Sequence, residues 1–328
     1  MIAVARLGRR NPAMLLAIGA LALLAIAPLW LRPLQINLLN ICMYYVVLAA
    51  SWNLLAGYAG QFSLAQQTFA GLGGYASGLL IFHLNAPIWV GFIGAVVVSG
   101  GTGFLLGVLV LRMRGIYLAV ATWAFAESVR LVMSAAFTFT RGDQGLHVPS
   151  LLGSLEPFRY YYIFMAVMVV LVGAMYLVIR SPIGWYLRAI KDDELAAQAM
   201  GVNTVKWKVF VMTFASTIAG IAGFFLAHYI VILSPNILSF NEIGKVIIMV
   251  VFGGLGLFAG PLVGAPLVVI ITELTRDYGA WSMVAYSFIV IVMMRFYRHG
   301  AVALVLHGWR RLKQATRRDR ATPMGPRE

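Results

Sequence analysis

Charge is what this 328-residue sequence has least of. Asp, Glu, Lys and Arg make up 11% of it, against about a quarter in an ordinary soluble domain. That shortage excludes a water-exposed globular surface. With 61% hydrophobic residues and a mean hydropathy of +0.87, it leaves an all-α polytopic membrane protein. Acid is scarcer than base, 11 carboxylates against 25 Lys and Arg, for a formal charge of +14. In a soluble protein that excess would point to nucleic acid. Here the basic residues fall between and after apolar runs, where they set orientation, so nucleic-acid binding is only a remote alternative. One cysteine, Cys42, excludes an internal disulfide and a cysteine metal cluster. There is no GxxxxGK[ST] phosphate loop, and "GGLGLFAG" fails the dinucleotide fingerprint in spacing and context. His83, His147, His228, His299 and His307 are scattered without HExxH spacing, so no metal site is expected. Neither cofactor nor catalytic nucleophile is expected in this chain.

What is present is a series of apolar runs, at about 13–31, 36–56, 62–83, 88–111, 115–137, 159–179, 207–232, 244–258, 260–275 and 281–297. These predict about ten spans. The N-terminal run could pass for a signal peptide, but it continues past Ala25-Ile26-Ala27 with Pro28 at the cleavage position, which favours a retained helix. Near residue 259, "FGGLGLFAGP" reads either as a break in one helix or as a tight turn between two. Charge placement separates the counts. Ten spans with both termini in the cytoplasm put Arg6, Arg9, Arg10, Arg112, Arg114, Arg180, Arg188, Lys191, Lys206, Lys208 and the basic tail inside, leaving Arg32, Arg141, Arg159, Lys245 and Arg276 outside. Residues 1–300 then form one transmembrane domain, with a cytoplasmic loop at about 180–207, and 301–328 form a basic cytoplasmic tail too short for a core. The outer loop Thr138 to Phe158 carries the Gly, Asp and Pro of an ordered turn-rich segment.

Three polar features interrupt the apolar pattern. "GYAGQFSLAQQTFAG" puts Gln61, Ser63, Gln66 and Gln67 where a span should be starting, between glycines able to break a helix. Polar groups and irregular backbone at membrane depth are tolerated when buried in protein or lining a watery cavity. A broken or re-entrant helix beside a translocation path is therefore expected, an ordinary polar helix end being the other reading. Glu127 falls mid-span with Arg130 three residues on, on the same helical face. An intramembrane ion pair is either a path element or a structural brace, and spacing alone allows both. Glycine-rich stretches at 71–78, 99–107 and 219–223 read first as close helix packing.

The third feature is "KDDELAAQAMG", Lys191 to Gly201. Pro182 and Gly184 should stop the sixth span, and Asp192, Asp193 and Glu194 should favour a new helix N-terminus. Gly201 should cap the C-terminus. A helix of about two turns does not persist in water unless it packs on something. Leu195, Ala196, Ala199 and Met200 give it an apolar stripe, suited either to folding back on this chain or to docking a partner.

"ELAAQAMG" resembles the EAA loop of ABC-importer permeases, with Ala196, Ala197 and Gly201 at the family spacing and Glu194 one residue early. Four further stretches, "GYAGQFSLAQQTFAGLGGYASGLL", "RGIYLAVATWAFAESVRLV", "RSPIGWYLRAIKDDELAAQAMGVN" and "LSPNILSF" with "VVFGGLGLFAGPLVGA", are similar, in order, to the M-type permeases of branched-chain amino-acid ABC importers. The resemblance runs from about 38 to 300. Arg141 stands where that family usually has glycine, and the basic tail is not part of its pattern. The resemblance implies one half of a channel in the bacterial inner membrane. Its partners would be a related H-type permease, two ATP-binding subunits that hydrolyse the ATP, and a periplasmic substrate-binding protein. Asp193, Glu194, Ala196, Ala197, Met200 and Gly201 would be the coupling element. The substrate would be a branched-chain or related amino acid, or an amide or urea. A proton-coupled secondary transporter using Glu127 is the alternative, and it leaves the docking helix without a purpose.

Overall fold

The computed structural model describes residues 19, 21–110, 113 and 115–275. The start of the first expected span (13–18 and 20), the tenth at 281–297, the basic tail and both termini lie outside the described residues. Ten α-helices longer than one turn organise the described part from residue 33 onward: α1 (Pro33–Asn53), α2 (Gln66–Leu84), α3 (Ile88–Leu109), α4 (Ile116–Ala135), α5 (Pro157–Arg180), α6 (Pro182–Asp192), α7 (Glu194–Ala199), α8 (Thr204–Ile230), α9 (Phe240–Gly253) and α10 (Ala259–Thr275). Five are long and apolar enough to cross a membrane, α1 being continued to Tyr58 by a π-helical turn; the others are α3, α4, α5 and α8. The chain is thus an all-α multi-pass membrane protein.

Prolines start several of these helices. Pro33, Pro157 and Pro182 each sit at a first helical position, where the missing N–H is not needed. Pro182 therefore ends α5 by opening α6, with the Ser181 hydroxyl accepting from the Ile183 N–H at 3.2 Å. Gly184, expected to help stop the span, lies inside α6 instead and lets it turn tightly against the end of α5.

α1 and α8 run antiparallel through the centre. At one end of the bundle, the Asn40 amide on α1 donates to the Tyr229 hydroxyl on α8 at 3.2 Å and to the Pro157 carbonyl at 3.1 Å. At the other end, Asn53 donates to the Leu257 carbonyl (3.0 Å) and accepts from the Gly256 N–H (2.8 Å). α2, α3 and α8 form a closely packed layer. A methyl added at Gly73 would sit 2.6 Å from the Gly220 Cα, so these backbones nearly touch. The glycine-rich stretches are thus packing surfaces.

Each central helix is followed by a break. After α1 the chain is non-helical from 59 to 65 before α2 begins; after α8, Val231 turns left-handed (φ +56°) and the chain runs through a two-residue strand and the short 3-10 turn Pro235–Leu238 before α9 begins at Phe240. Because α1 and α8 are antiparallel, the two breaks enter from opposite ends. The second is covered by the loop between α4 and α5, whose β1 (Leu146–His147) pairs antiparallel with β2 (Ile232–Leu233), Leu146 opposite Leu233. His228 fixes that cover, bonded to Ser77 Oγ at 2.8 Å and to the Pro149 carbonyl at 2.7 Å. The expected ordered loop is present. Near residue 259 the chain takes the tight turn, Gly254 and Gly256 having φ of +120° and +77°, and α9 packs back on α10.

Candidate functional site: a capped surface helix and two cavities along the breaks

α7 forms where the acids were expected to start a helix, but each acid has a separate task. Asp192 ends α6. Asp193 is the N-cap, its carboxylate accepting from the N–H groups of Leu195 (2.9 Å) and Ala196 (3.1 Å). Glu194, at the first helical position, is bonded to Lys208 Nζ at 2.5 Å in a pair whose side chains are only 14% and 9% exposed. At the other end Gly201 is left-handed (φ +85°), and the bonds Gly201 N–H to Gln198 O (2.9 Å) and Val202 N–H to Ala197 O (3.0 Å) complete a Schellman closure. Leu195 and Met200 stand 64% and 84% exposed, with Ala196 and Ala199 beside them. Ala197, which the family resemblance places in the coupling element, is buried against this chain and does not face outward.

α7 also borders a cleft of about 210 Å³. The cleft lies between the start of the first break (Gly60, Gln61), the end of α3, the start of α4 and the segment Ile190 to Glu194. Lys191 reaches across to donate to the Gly57 carbonyl at 2.8 Å, in the π-helical turn that precedes the break. The α6–α7 segment is therefore tied to both central helices, to α8 through Glu194 on α7 and to the end of α1 through Lys191 in the last turn of α6. Gln61 is 8% exposed and lines the cleft, and its Oε1 has no hydrogen-bond partner among the described residues.

The four polar residues in the first break and at the start of α2 separate in space. Ser63 and Gln66 are wholly buried and line neither cavity. Trp52 Nε1 donates to the Ser63 carbonyl (2.7 Å), and Gln66 Nε2 donates to Ser51 Oγ (2.7 Å) and the Ala215 carbonyl (2.9 Å). They brace the irregular backbone. Gln67, bonded to the Tyr44 hydroxyl at 3.2 Å, lines a second cavity with Leu64, Thr68, Trp123, Glu127 and Leu238 among others. This cavity is where the two breaks meet, and it leaves no room for a water molecule.

Glu127 and Arg130 are paired, with Arg130 Nε 3.0 and 3.1 Å from the two carboxylate oxygens. Their side chains remain 34% and 27% exposed. Lys208, Lys191 and Asn53 are functional candidates that sequence spacing did not bring out, because their partners lie 14 to more than 200 residues away. Lys245, counted among the outer charges, lies in the second turn of α9, where its Nζ meets Glu242 at 2.6 Å.

Long apolar helices interrupted by buried breaks define a multi-pass membrane protein. Residues 34–297 match the family described as branched-chain amino acid transport system, permease component, and that match makes it a transport permease. The chain is 28% identical over 305 residues to the high-affinity branched-chain amino acid transport system permease protein LivM of Salmonella typhimurium (strain LT2), covering 84% of this chain and 72% of that one. It is 27% identical over 304 residues to LivM of Escherichia coli (strain K12), with the same coverage. LivH of the same Salmonella strain is 22% identical over 273 residues, 76% of this chain and 88% of LivH. No solved structure matches the chain. The chain belongs to the permease components of branched-chain amino acid transport systems, and within them to the LivM type.

Proposed function

We propose that this chain is one of two related permeases of an ABC importer in the bacterial inner membrane. It pairs with an H-type chain, receives substrate from a periplasmic binding protein and rests on two ATP-binding subunits that hydrolyse the ATP. The substrate is a branched-chain or related amino acid; an amide or urea is the wider class. Residues 1–300 make the permease domain with about ten spans and both termini cytoplasmic, and 301–328 form a basic tail. The two breaks line the path, with Gln61 at its cytoplasmic mouth and Gln67, Glu127 and Arg130 deeper in. Asp193, Glu194, Ala196, Ala197, Met200 and Gly201 form the coupling element.

One observation carries this reading. α7 is closed at both ends, exposes Leu195 and Met200, and is fastened by Glu194 to Lys208 on α8 and through Lys191 to the turn before the first break. A push on its outer face has a direct route to both central helices and to the wall of the cleft. A secondary transporter needs no such device.

The test purifies the complex through a tag on this chain. Met200→Asp puts a charge on the outer face without touching the core. Gly201→Val forces a β-branched residue into a left-handed position. Both variants should insert and pair normally, yet lose ATP-binding subunits or the stimulation of ATP hydrolysis by loaded binding protein, by about tenfold. Full ATPase content and full stimulation in both would reject α7 as the coupling element.

A further inference from the structure

The flank formed by α4 and the first turn of α9 carries four charges at membrane depth. Glu127 is the twelfth of the 20 residues of α4. Tyr45 is the thirteenth of the 26 residues Pro33–Tyr58, and its hydroxyl donates to Glu242 at 2.6 Å, which places the start of α9 halfway along a span. Each acid is paired with a base three residues on, Glu127 with Arg130 and Glu242 with Lys245. The two elements touch through the Trp123 and Phe240 rings, whose centroids are 6.0 Å apart.

These pairs are not enclosed by the chain. Glu127 and Arg130 are 34% and 27% exposed, Glu242 and Lys245 22% and 34%. Ions at that depth do not face hydrocarbon; they face protein or a water-filled path. Directly behind them lies the closed cavity at the meeting of the breaks. Its lining is mostly apolar (Leu64, Trp123, Ala126, Leu238 and Ile243), with Glu127 also among its lining residues. Thr68, 1% exposed, also lines it, and its hydroxyl has no partner among the described residues.

We propose that this flank is a transit site for a zwitterionic amino acid with an aliphatic side chain. The acids, Glu127 and Glu242, receive the α-ammonium group. The bases, Arg130 and Lys245, receive the α-carboxylate, and the apolar cavity opens to take the side chain. Pairing within each i,i+3 couple keeps the charges neutralised when no substrate is present. Binding exchanges the two internal ion pairs for contacts of the acids with the ammonium and of the bases with the carboxylate; the four side chains and the zwitterion are each neutral overall, so no net charge is moved into the membrane. The site deepens the importer reading above and rests on it.

The test uses the complete complex in proteoliposomes, with its binding protein and radiolabelled L-leucine. The double variant Glu127→Gln with Arg130→Gln removes both charges and keeps polar groups able to bond each other. If the pair is a transit site, leucine uptake falls by about tenfold or more, while complex yield and the stimulation of ATP hydrolysis by loaded binding protein persist. Uptake at the unmodified rate makes the pair a brace and overturns the proposal. A second measurement decides the matter if the double variant does not assemble. With Cys42→Ser, a cysteine is placed at Ser128, exposed on α4, or at Val170, 66% exposed on α5. A water-soluble methanethiosulfonate should modify Ser128→Cys about tenfold faster, since only a watery path admits it. Equal rates overturn the proposal. Failure of the unmodified complex to carry leucine sinks the importer reading and this site together, whereas normal uptake by complex and double variant alike sinks this site alone.

Discussion

α1 and α4 have nearly the same hydropathy, 1.6 and 1.4 over their best windows, and opposite surroundings. Of those windows, 78% is buried inside the chain for α1 and 22% for α4. α1 packs against α5, α8, α9 and α10 and is the central pillar; α4 rests chiefly on the short helical turn Pro235–Leu238 of the second break. In lipid, apolarity does not distinguish a helix facing its own protein from one facing something else, because tails are as apolar as leucine. What distinguishes them is the small and polar residues. α1 ends in Asn53 and Gly57, which fit the Gly254 to Phe258 turn, whereas α4 carries its ion pair on an open side.

The comparison is broken most severely at Gly57. A Cβ there would sit 2.7 Å from the Gly256 nitrogen, a backbone atom that cannot swing away. Gly57→Val should reduce folded, monodisperse chain in detergent to about a tenth or less. If yield is retained, α1 is not the pillar described. Leu48→Ala, at a wholly buried position of α1, leaves a cavity and should cost about 2 to 5 kcal/mol in a reversible unfolding titration. At the α7 end of α8, Lys208→Met removes the cation bonded to the nearly buried Glu194 carboxylate. That should destabilise the 180–207 segment by about 3 kcal/mol, visible as faster amide exchange over α7, while Lys208→Met with Glu194→Gln should recover part of the loss. Exchange unchanged in the single variant would remove the pair from the account. Smallest of all should be Leu131→Ala, at a position 53% exposed on α4, with less than about 0.5 kcal/mol lost in the chain purified alone. A loss there equal to that at Leu48 would erase the contrast between the two helices.

Much of the site was legible in the sequence because its signals are local. The glutamines and serine of the first break stand out as polar groups in an apolar run. Glu127 and Arg130 are three apart, and the Asp193 cap and Gly201 closure are written in consecutive residues. Glu242 and Lys245 have the same spacing and were equally local, yet the pair was not picked out. The hydropathy pattern starts the span at 244, while the helix starts at Phe240, after a break that hydropathy does not register. The inward turn of Ala197 was not legible, since a six-residue helix has no periodicity to fix its face. Its orientation follows from Glu194 reaching Lys208, a contact across a helix boundary.

The sequence by itself determined the membrane class, the existence of a break and of a capped surface helix, and the family. Each follows from composition or from residues close in the chain, whose physical consequences do not depend on what lies across the bundle. Only the tertiary structure decided which span is pillar and which is flank, that the glutamines divide into braces and cavity walls, and that four mid-depth charges share one uncovered side. Those properties depend on the antiparallel packing of α1 and α8 and on the α9–α10 turn seated against the end of α1, held by contacts such as Asn40 with Tyr229 and Asn53 with Gly256. Contacts nearly 200 residues or more apart leave no periodic trace for a sequence reading to find.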